Sequence, residues 1–304
     1  MSDATPGNPP RLTYGITPPK IRTSAERRRA TAAAQTARIS ALPIDALVVY
    51  DLQDESSRTD AERPFPFLEV IDPLEYAFED LREVPQPRIV YRSVSDRDPD
   101  ALGAWLERLH GQGGSTVLVG APSSRETVQL GLADAYRIRQ ARVPALPLGG
   151  VVIAERHEQS GAEVDRILRK GARGCSFFVS QAVYSVTASK NLLSDLHYRC
   201  LEEARPVPPI LVTLSPCGSQ KTLEFLSWLG VSVPRWLRNE LTHAQDILAR
   251  SVELCLGVFE ELLDFAAAKA IPLGCNVESV SLRKAEIEAS VEMVHRVSAM
   301  LGRR

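Results

Sequence analysis

Short apolar runs rich in β-branched residues alternate along this chain with longer stretches in which apolar residues recur every three or four positions. The short runs predict strands over 12–16, 46–50, 88–94, 116–119, 146–153, 174–179, 210–214 and 273–277. The longer stretches predict helices over 25–41, 74–82, 99–110, 125–140, 161–170, 184–204, 223–229 with 236–265, and 282–300. Eight strands, each followed by a helical return, is the count of a (β/α)8 TIM barrel, an α/β fold in a single domain. Near-continuous apolar runs such as GGVVIA suit a parallel sheet buried on both faces. An open doubly wound sheet is the alternative, but no GxGxxG turn follows the first strand. Residues 1–11 read as a polar, Pro-rich disordered tail and 12–304 as the barrel.

Composition narrows the function classes. Of 304 residues, 44 % are hydrophobic and 24 % charged, with a formal net charge of -2. Near-neutral charge gives no reason to expect nucleic acid or an anionic membrane as partner. The run Glu26-Arg27-Arg28-Arg29 is a solvated helix face by the same reasoning. Five cysteines without CxxC spacing predict reduced thiols in a cytoplasmic protein, with neither a disulfide framework nor a metal site. No apolar run reaches the roughly 18–20 residues that cross a bilayer, and the N-terminus lacks a secretory layout. The broad apolar faces of the last helices, 252–265 included, either wrap the barrel or form a homo-oligomer surface.

In such a barrel the chemistry lies at the C-terminal ends of the strands. The first strand ends in YGITPPK, where Pro18 and Pro19 impose a rigid extended exit. The second ends in an acidic segment, Asp51-Leu52-Gln53-Asp54-Glu55, followed by Ser56-Ser57-Arg58-Thr59. No Gly-rich phosphate loop, nucleophile elbow or His/Cys metal cluster is present in the sequence.

Taken in order, the strand ends resemble the methylenetetrahydrofolate reductase family. Gly15-Ile16-Thr17-Pro18-Pro19 is similar to that family's Glu-Phe-Phe-Pro-Pro exit. Glu155-Arg156-His157 after Ile153-Ala154 resembles its Tyr-Pro-Glu-Gly-His, and Ser180-Gln181 its Ile-Thr-Gln followed by aromatics, here Tyr184. Pro209-Ile210 through Pro216, then Phe225 ahead of Val233-Pro234-Arg235-Trp236, complete the series. The resemblance implies reduction of methylenetetrahydrofolate to methyltetrahydrofolate, with a hydride from a nicotinamide passing through FAD. It also implies divergence. Gly15 replaces the family's acidic Glu, Ala121 its flavin-side Asp, Tyr91 the His of its third strand, and Ile153 the Tyr of its fifth. FAD is therefore doubtful, and NAD(P)H is expected to deliver hydride directly.

Candidate residues follow. Glu55, with Asp51 second, is the replacement acid or pterin-orienting carboxylate, since neighbouring strands lie about 4.8 Å apart and a second-strand carboxylate reaches over the first. The plainer reading of both is loop ordering. Gln181 matches the mixed donor and acceptor edge of a pterin, or is a satisfied rim residue. Phe225 offers a stacking face and Tyr184 a cover for the same pocket; both are equally readable as core. The resemblance places Arg169 and Lys170 on the family's basic pair. With Glu163, Arg166, His157 and Thr59 they form the candidate cofactor group, where charge-assisted bonds would hold dinucleotide phosphates. Basic residues in a last helical turn also simply favour the helix dipole. The expected function is an NAD(P)H-dependent, flavin-independent methylenetetrahydrofolate reductase-like oxidoreductase. The alternatives are an FAD-retaining reductase, a non-catalytic folate-binding or regulatory barrel, or another folate one-carbon enzyme.

Overall fold

The computed structural model describes residues 9–123 and 125–302. Most of the expected N-terminal tail, 1–8, lies outside them; Arg11 is already fixed by its backbone N–H, which donates to Asp45 at 2.6 Å. Eight strands run β1 Leu12–Ile16, β2 Ala46–Val49, β3 Arg88–Ser93, β4 Ser115–Val119, β5 Leu148–Val152, β6 Cys175–Ala182, β7 Ile210–Leu214 and β8 Leu273–Glu278. All neighbours are parallel, and β1 pairs with β8, so the sheet closes into a (β/α)8 barrel.

The helices are α1 Ala25–Ser40, α2 Pro73–Glu75 (continued by a π turn, Tyr76–Asp80), α3 Pro99–Gly111, α4 Leu132–Arg142, α5 Ala154–Ser160 and α6 Glu163–Ala172. After these come α7 Val186–Glu202, α8 Gln220–Trp228, α9 Arg235–His243, α10 Ile247–Ala267 and α11 Lys284–Met300. Three expected helical stretches differ. The helix expected over 125–140 starts only at Leu132, because the N–H groups of Gln129 and Leu130 are held by the Ser95 carbonyl and Gly131 forms the N-cap. The segment after β5 forms two helices, since Gly161 adopts φ +65°, a left-handed turn that ends α5. Within the expected 236–265 helix, Asp246 starts a new one by accepting from Ala249 N at 3.0 Å.

Strand alternation divides the core in two. Ala46, Val48, Ile89, Tyr91, Val117, Phe177, Val179 and Leu211 point inward and fill the barrel; the opposite faces pack against the helices in a larger outer layer. All five cysteines are free and buried. Among the described residues no helix is long and apolar enough to cross a membrane, and no group of His, Cys, Asp and Glu could hold a metal ion.

Candidate functional site

The mouth at the C-terminal ends of the strands is built around residue 15. Gly15 pairs with Val48 on β2 and with Glu278 on β8. A Cβ there would stand 2.7 Å from Tyr50 Cε2 and 3.1 Å from Glu278 Cβ. Glycine is required because the Tyr50 ring and the Glu278 stem fill the space a side chain would take. Tyr50 meets Tyr91 edge to face, with centroids 4.8 Å apart. A polar chain runs through this otherwise apolar mouth. Thr13 Oγ1 donates to Asn276 Oδ1 at 2.8 Å, and Asn276 Nδ2 donates to Tyr50 Oη at 2.8 Å and to Thr213 Oγ1 at 3.2 Å. Thr213 Oγ1 donates in turn to the Ser180 carbonyl at 2.6 Å.

Glu278 closes that chain beside Tyr50 and Asn276, which lend it hydrogen bonds. The residue keeps partial exposure at the mouth, yet desolvation of its carboxyl outweighs those bonds and raises its pKa. Burial likewise pushes the Tyr50 and Tyr91 phenols up, helped by the Glu278 charge. The sequence reading missed Glu278 by ending the last strand at Val277. The available signal was the alternation Gly274, Asn276, Glu278, which puts two polar side chains on the inward face.

The acidic segment after β2 begins a long strap, residues 51–72. Asp51 accepts from Ser93 N at 2.9 Å and lies 3.9 Å from Arg92 Nη1, fastening the end of β2 to β3. Burial raises its pKa, against the opposing pull of Ser93 N and Arg92. Glu55 is ion-paired with Arg58 at 2.5 Å, and Thr59 Oγ1 accepts from Ala61 N at 3.2 Å, which helps shape the strap.

The strap crosses the mouth. On one side Ser57 Oγ donates to Glu126 at 2.7 Å. On the other, Trp228 Nε1 donates to the Ala61 carbonyl at 3.0 Å, and Arg63 lies over the Trp228 and Phe225 rings at 4.8 and 5.5 Å. Its return runs against the first-strand exit, where Ile71 N donates to Pro19 O at 2.9 Å and Ile21 N to Glu69 O at 3.0 Å. The two prolines thus hold a straight edge to which the strap is zipped.

The other predicted residues separate into groups. Gln181, at the end of β6, donates through Nε2 to the Leu229 carbonyl at 2.7 Å, while its Oε1 is buried without a partner among the described residues. Phe225 joins Phe65 at 5.3 Å and stacks on Trp228 at 6.1 Å, so its ring is engaged by the strap and α8. Tyr184 is 2 % exposed in the outer layer, where its hydroxyl donates to the Ser215 carbonyl at 2.6 Å. Burial behind the sheet leaves it no surface at the mouth, so it cannot cover the pocket as expected. His157 also faces away: it is buried against α7, with Nε2 2.8 Å from Asp195 Oδ2.

Glu163, 1 % exposed, accepts from Ile153 N at 3.1 Å and from Arg166 at 2.9 Å, which makes it a clamp on the end of β5. Glu155 acts similarly, its carboxyl taking the N–H of Ser232 while burial raises its pKa. Lys170 donates to the Val151 carbonyl, and burial lowers its pKa. Beside it a cleft of about 350 Å³ is lined by Arg156, Arg166, Arg169, Lys170, Arg173 and Tyr136. Five cations around one cleft suit an anionic ligand.

Comparison with known proteins adds two solved structures. A Clostridium thermocellum protein that binds two copies of 5-methyl-5,6,7,8-tetrahydrofolic acid is 44 % identical, with 95 % of this chain and 96 % of that one covered and a TM-score of 0.85. A GH113 β-1,4-mannanase shares the fold alone, at 12 % identity, 97 % and 98 % coverage and a TM-score of 0.54. No protein-family model matches the chain, and no curated protein does.

Proposed function

Since the chain belongs to the same family as the Clostridium thermocellum protein, we propose that it binds a reduced folate at the C-terminal mouth of its barrel. The observation that carries this reading is 44 % identity sustained over 95 % of the chain. The geometry agrees with it. Gln181 is anchored by its amide nitrogen and offers an unpartnered acceptor, which suits the N–H groups on a pterin edge. The Tyr50 and Tyr91 rings give the pterin an apolar bed.

The finer reading is a methylenetetrahydrofolate reductase-like oxidoreductase. NAD(P)H transfers a hydride to the methylene carbon, which becomes a methyl group, and the nicotinamide is oxidised. Arg166 and Arg169, on the cationic cleft, are the proposed contacts for the dinucleotide phosphates. Direct transfer fits better than transfer through FAD. Tyr91 fills the inner mouth with a ring, Ala121 has no side-chain acceptor, and Ile153 N is already taken by Glu163. Holding both partners in one mouth supplies proximity, the main lever available for a bimolecular hydride transfer.

The test is anaerobic. Purified protein, with no flavin added, is expected to oxidise NADH only when methylenetetrahydrofolate is supplied; absence of turnover with and without FAD overturns the reductase reading. A second reading is a folate-binding barrel without turnover. It is favoured by Gly15, which places no carboxylate on the first strand, and by the relative's binding of the methyl form. Tight methyltetrahydrofolate binding without NADH oxidation would select it.

A further inference from the structure

We propose that Glu278 is the proton donor of this reaction, delivering its proton to the folate nitrogen that leaves the methylene carbon; the inference rests on the reductase reading above. Expelling an amine from carbon requires that nitrogen to be protonated, so an acid must stand at the mouth. The carboxylates there have distinct partners. Asp51 is held by Ser93 N and the nearby Arg92, Glu55 by Arg58, Glu155 by the Ser232 N–H, and Glu163 by Ile153 N and Arg166. Glu278 forms no ion pair among the described residues. It meets a phenol and an amide instead, both able to hydrogen-bond either protonation state.

Its position is also built rather than incidental. Gly15 opposite leaves room for the Tyr50 ring, and Asn276, fixed from Thr13 and donating to Thr213, aims that phenol. The titratable groups facing Glu278 are the Tyr50 phenol from β2 and the Tyr91 phenol from β3, both kept neutral by burial; Gly15 faces it from β1 and Asn276 lies along its own strand. Desolvation raises the carboxyl's pKa above that of an exposed Glu.

The step balances without another reagent. The Glu278 proton passes to the leaving nitrogen, the carbon–nitrogen electron pair follows it, and the resulting iminium carbon accepts the nicotinamide hydride. Solvent then returns a proton to the carboxylate.

The experiment compares wild type, Glu278→Gln, Glu278→Asp and Glu55→Gln, reading anaerobic NADH oxidation against pH and methyltetrahydrofolate affinity by calorimetry. Glu278→Gln is expected to bind the folate within about threefold of wild type and to lose about 100-fold or more in kcat. Wild-type kcat should fall as pH rises through the acid's pKa, and Glu278→Gln should lack that limb. Glu278→Asp should restore part of the rate with the limb displaced. Glu278→Gln turning over within about threefold of wild type, with an unchanged profile, overturns the assignment and leaves the reductase reading standing. Wild type that binds folate without turnover overturns the reductase reading and this inference with it. If Glu278→Gln does not fold, Glu278→Asp decides: an undisplaced alkaline limb overturns the proposal.

Discussion

Gln181 Nε2 donates to the Leu229 carbonyl at 2.7 Å, so the amide at the end of β6 is tied by its donor and turned to present its acceptor. A buried acceptor without a protein partner costs about 1–3 kcal/mol until something donates to it. Gln181→Ala is therefore expected to weaken methyltetrahydrofolate binding by about tenfold to a hundredfold, with the urea midpoint little changed. Calorimetric titration of the purified variant checks it; unchanged affinity would remove Gln181 from the folate site.

A second prediction concerns fit at the mouth. Gly15→Ala puts a methyl 2.7 Å from Tyr50 Cε2, and overpacking of this kind costs about 1–3 kcal/mol. Tyr50→Ala removes the obstacle at its own expense. The two should couple, the double variant being more stable than the sum of the singles by about 1 kcal/mol. Urea denaturation of all four proteins measures this, and strict additivity would place the Tyr50 ring elsewhere.

Linkage at Glu278 has a definite sign. Its folded pKa is raised above the ordinary 4.5, so the unfolded chain gives up the proton first. Below the ordinary value both states are protonated and the group costs nothing; between that value and the raised one, stability falls as pH rises. Glu278→Gln should gain on wild type across that window, at up to about 1.4 kcal/mol per pH unit, and hold a constant difference above it. Denaturation midpoints of both proteins at several pH values test this, and parallel curves would contradict the burial of the carboxyl.

Charge reversal tests the cationic cleft. Arg169 is exposed on α6 beside Arg166, and Arg169→Glu is expected to raise the KM for NADH by about tenfold at low salt. Because surface electrostatics are screened over about 10 Å at 0.1 M salt, the gap should narrow as salt is added. A KM indifferent to both changes would move the dinucleotide away from this cleft.

The barrel was legible because its signal is local: each strand is a short apolar run and each return a periodic one, from β1 at Leu12 to α11 at Met300. The site was legible only in part. Gln181 could be picked out as an amide at a strand end. Tyr184, two residues past the end of β6, could not be distinguished from a ligand-facing ring, since which face of the sheet an aromatic takes after a strand end depends on the bulge in β6. Glu278 needed register. Nothing in the run LGCNVE shows that its last residue lies opposite a glycine 263 positions earlier, the separation of Gly15 and Glu278 in their strand pairing. The role of Glu55 likewise turned on Arg58, three residues away and one turn around a short 3₁₀ helix.

The strap over 51–72 begins at β2 and is sewn back onto the barrel at Pro19 and Ile21. Among the described residues, its middle is bonded to α8 and to the segment before α4 through side chains, apart from the Ala61 carbonyl. Frame and fastening are therefore separable. Beyond Gln53, which is bonded to Ser93 on β3 and to the Gly120 carbonyl, the strands can stay unaltered while residues between Asp54 and Leu68 are exchanged, so the cover of the mouth can be rewritten in one stretch of chain, with the scaffold beneath it left out of the negotiation.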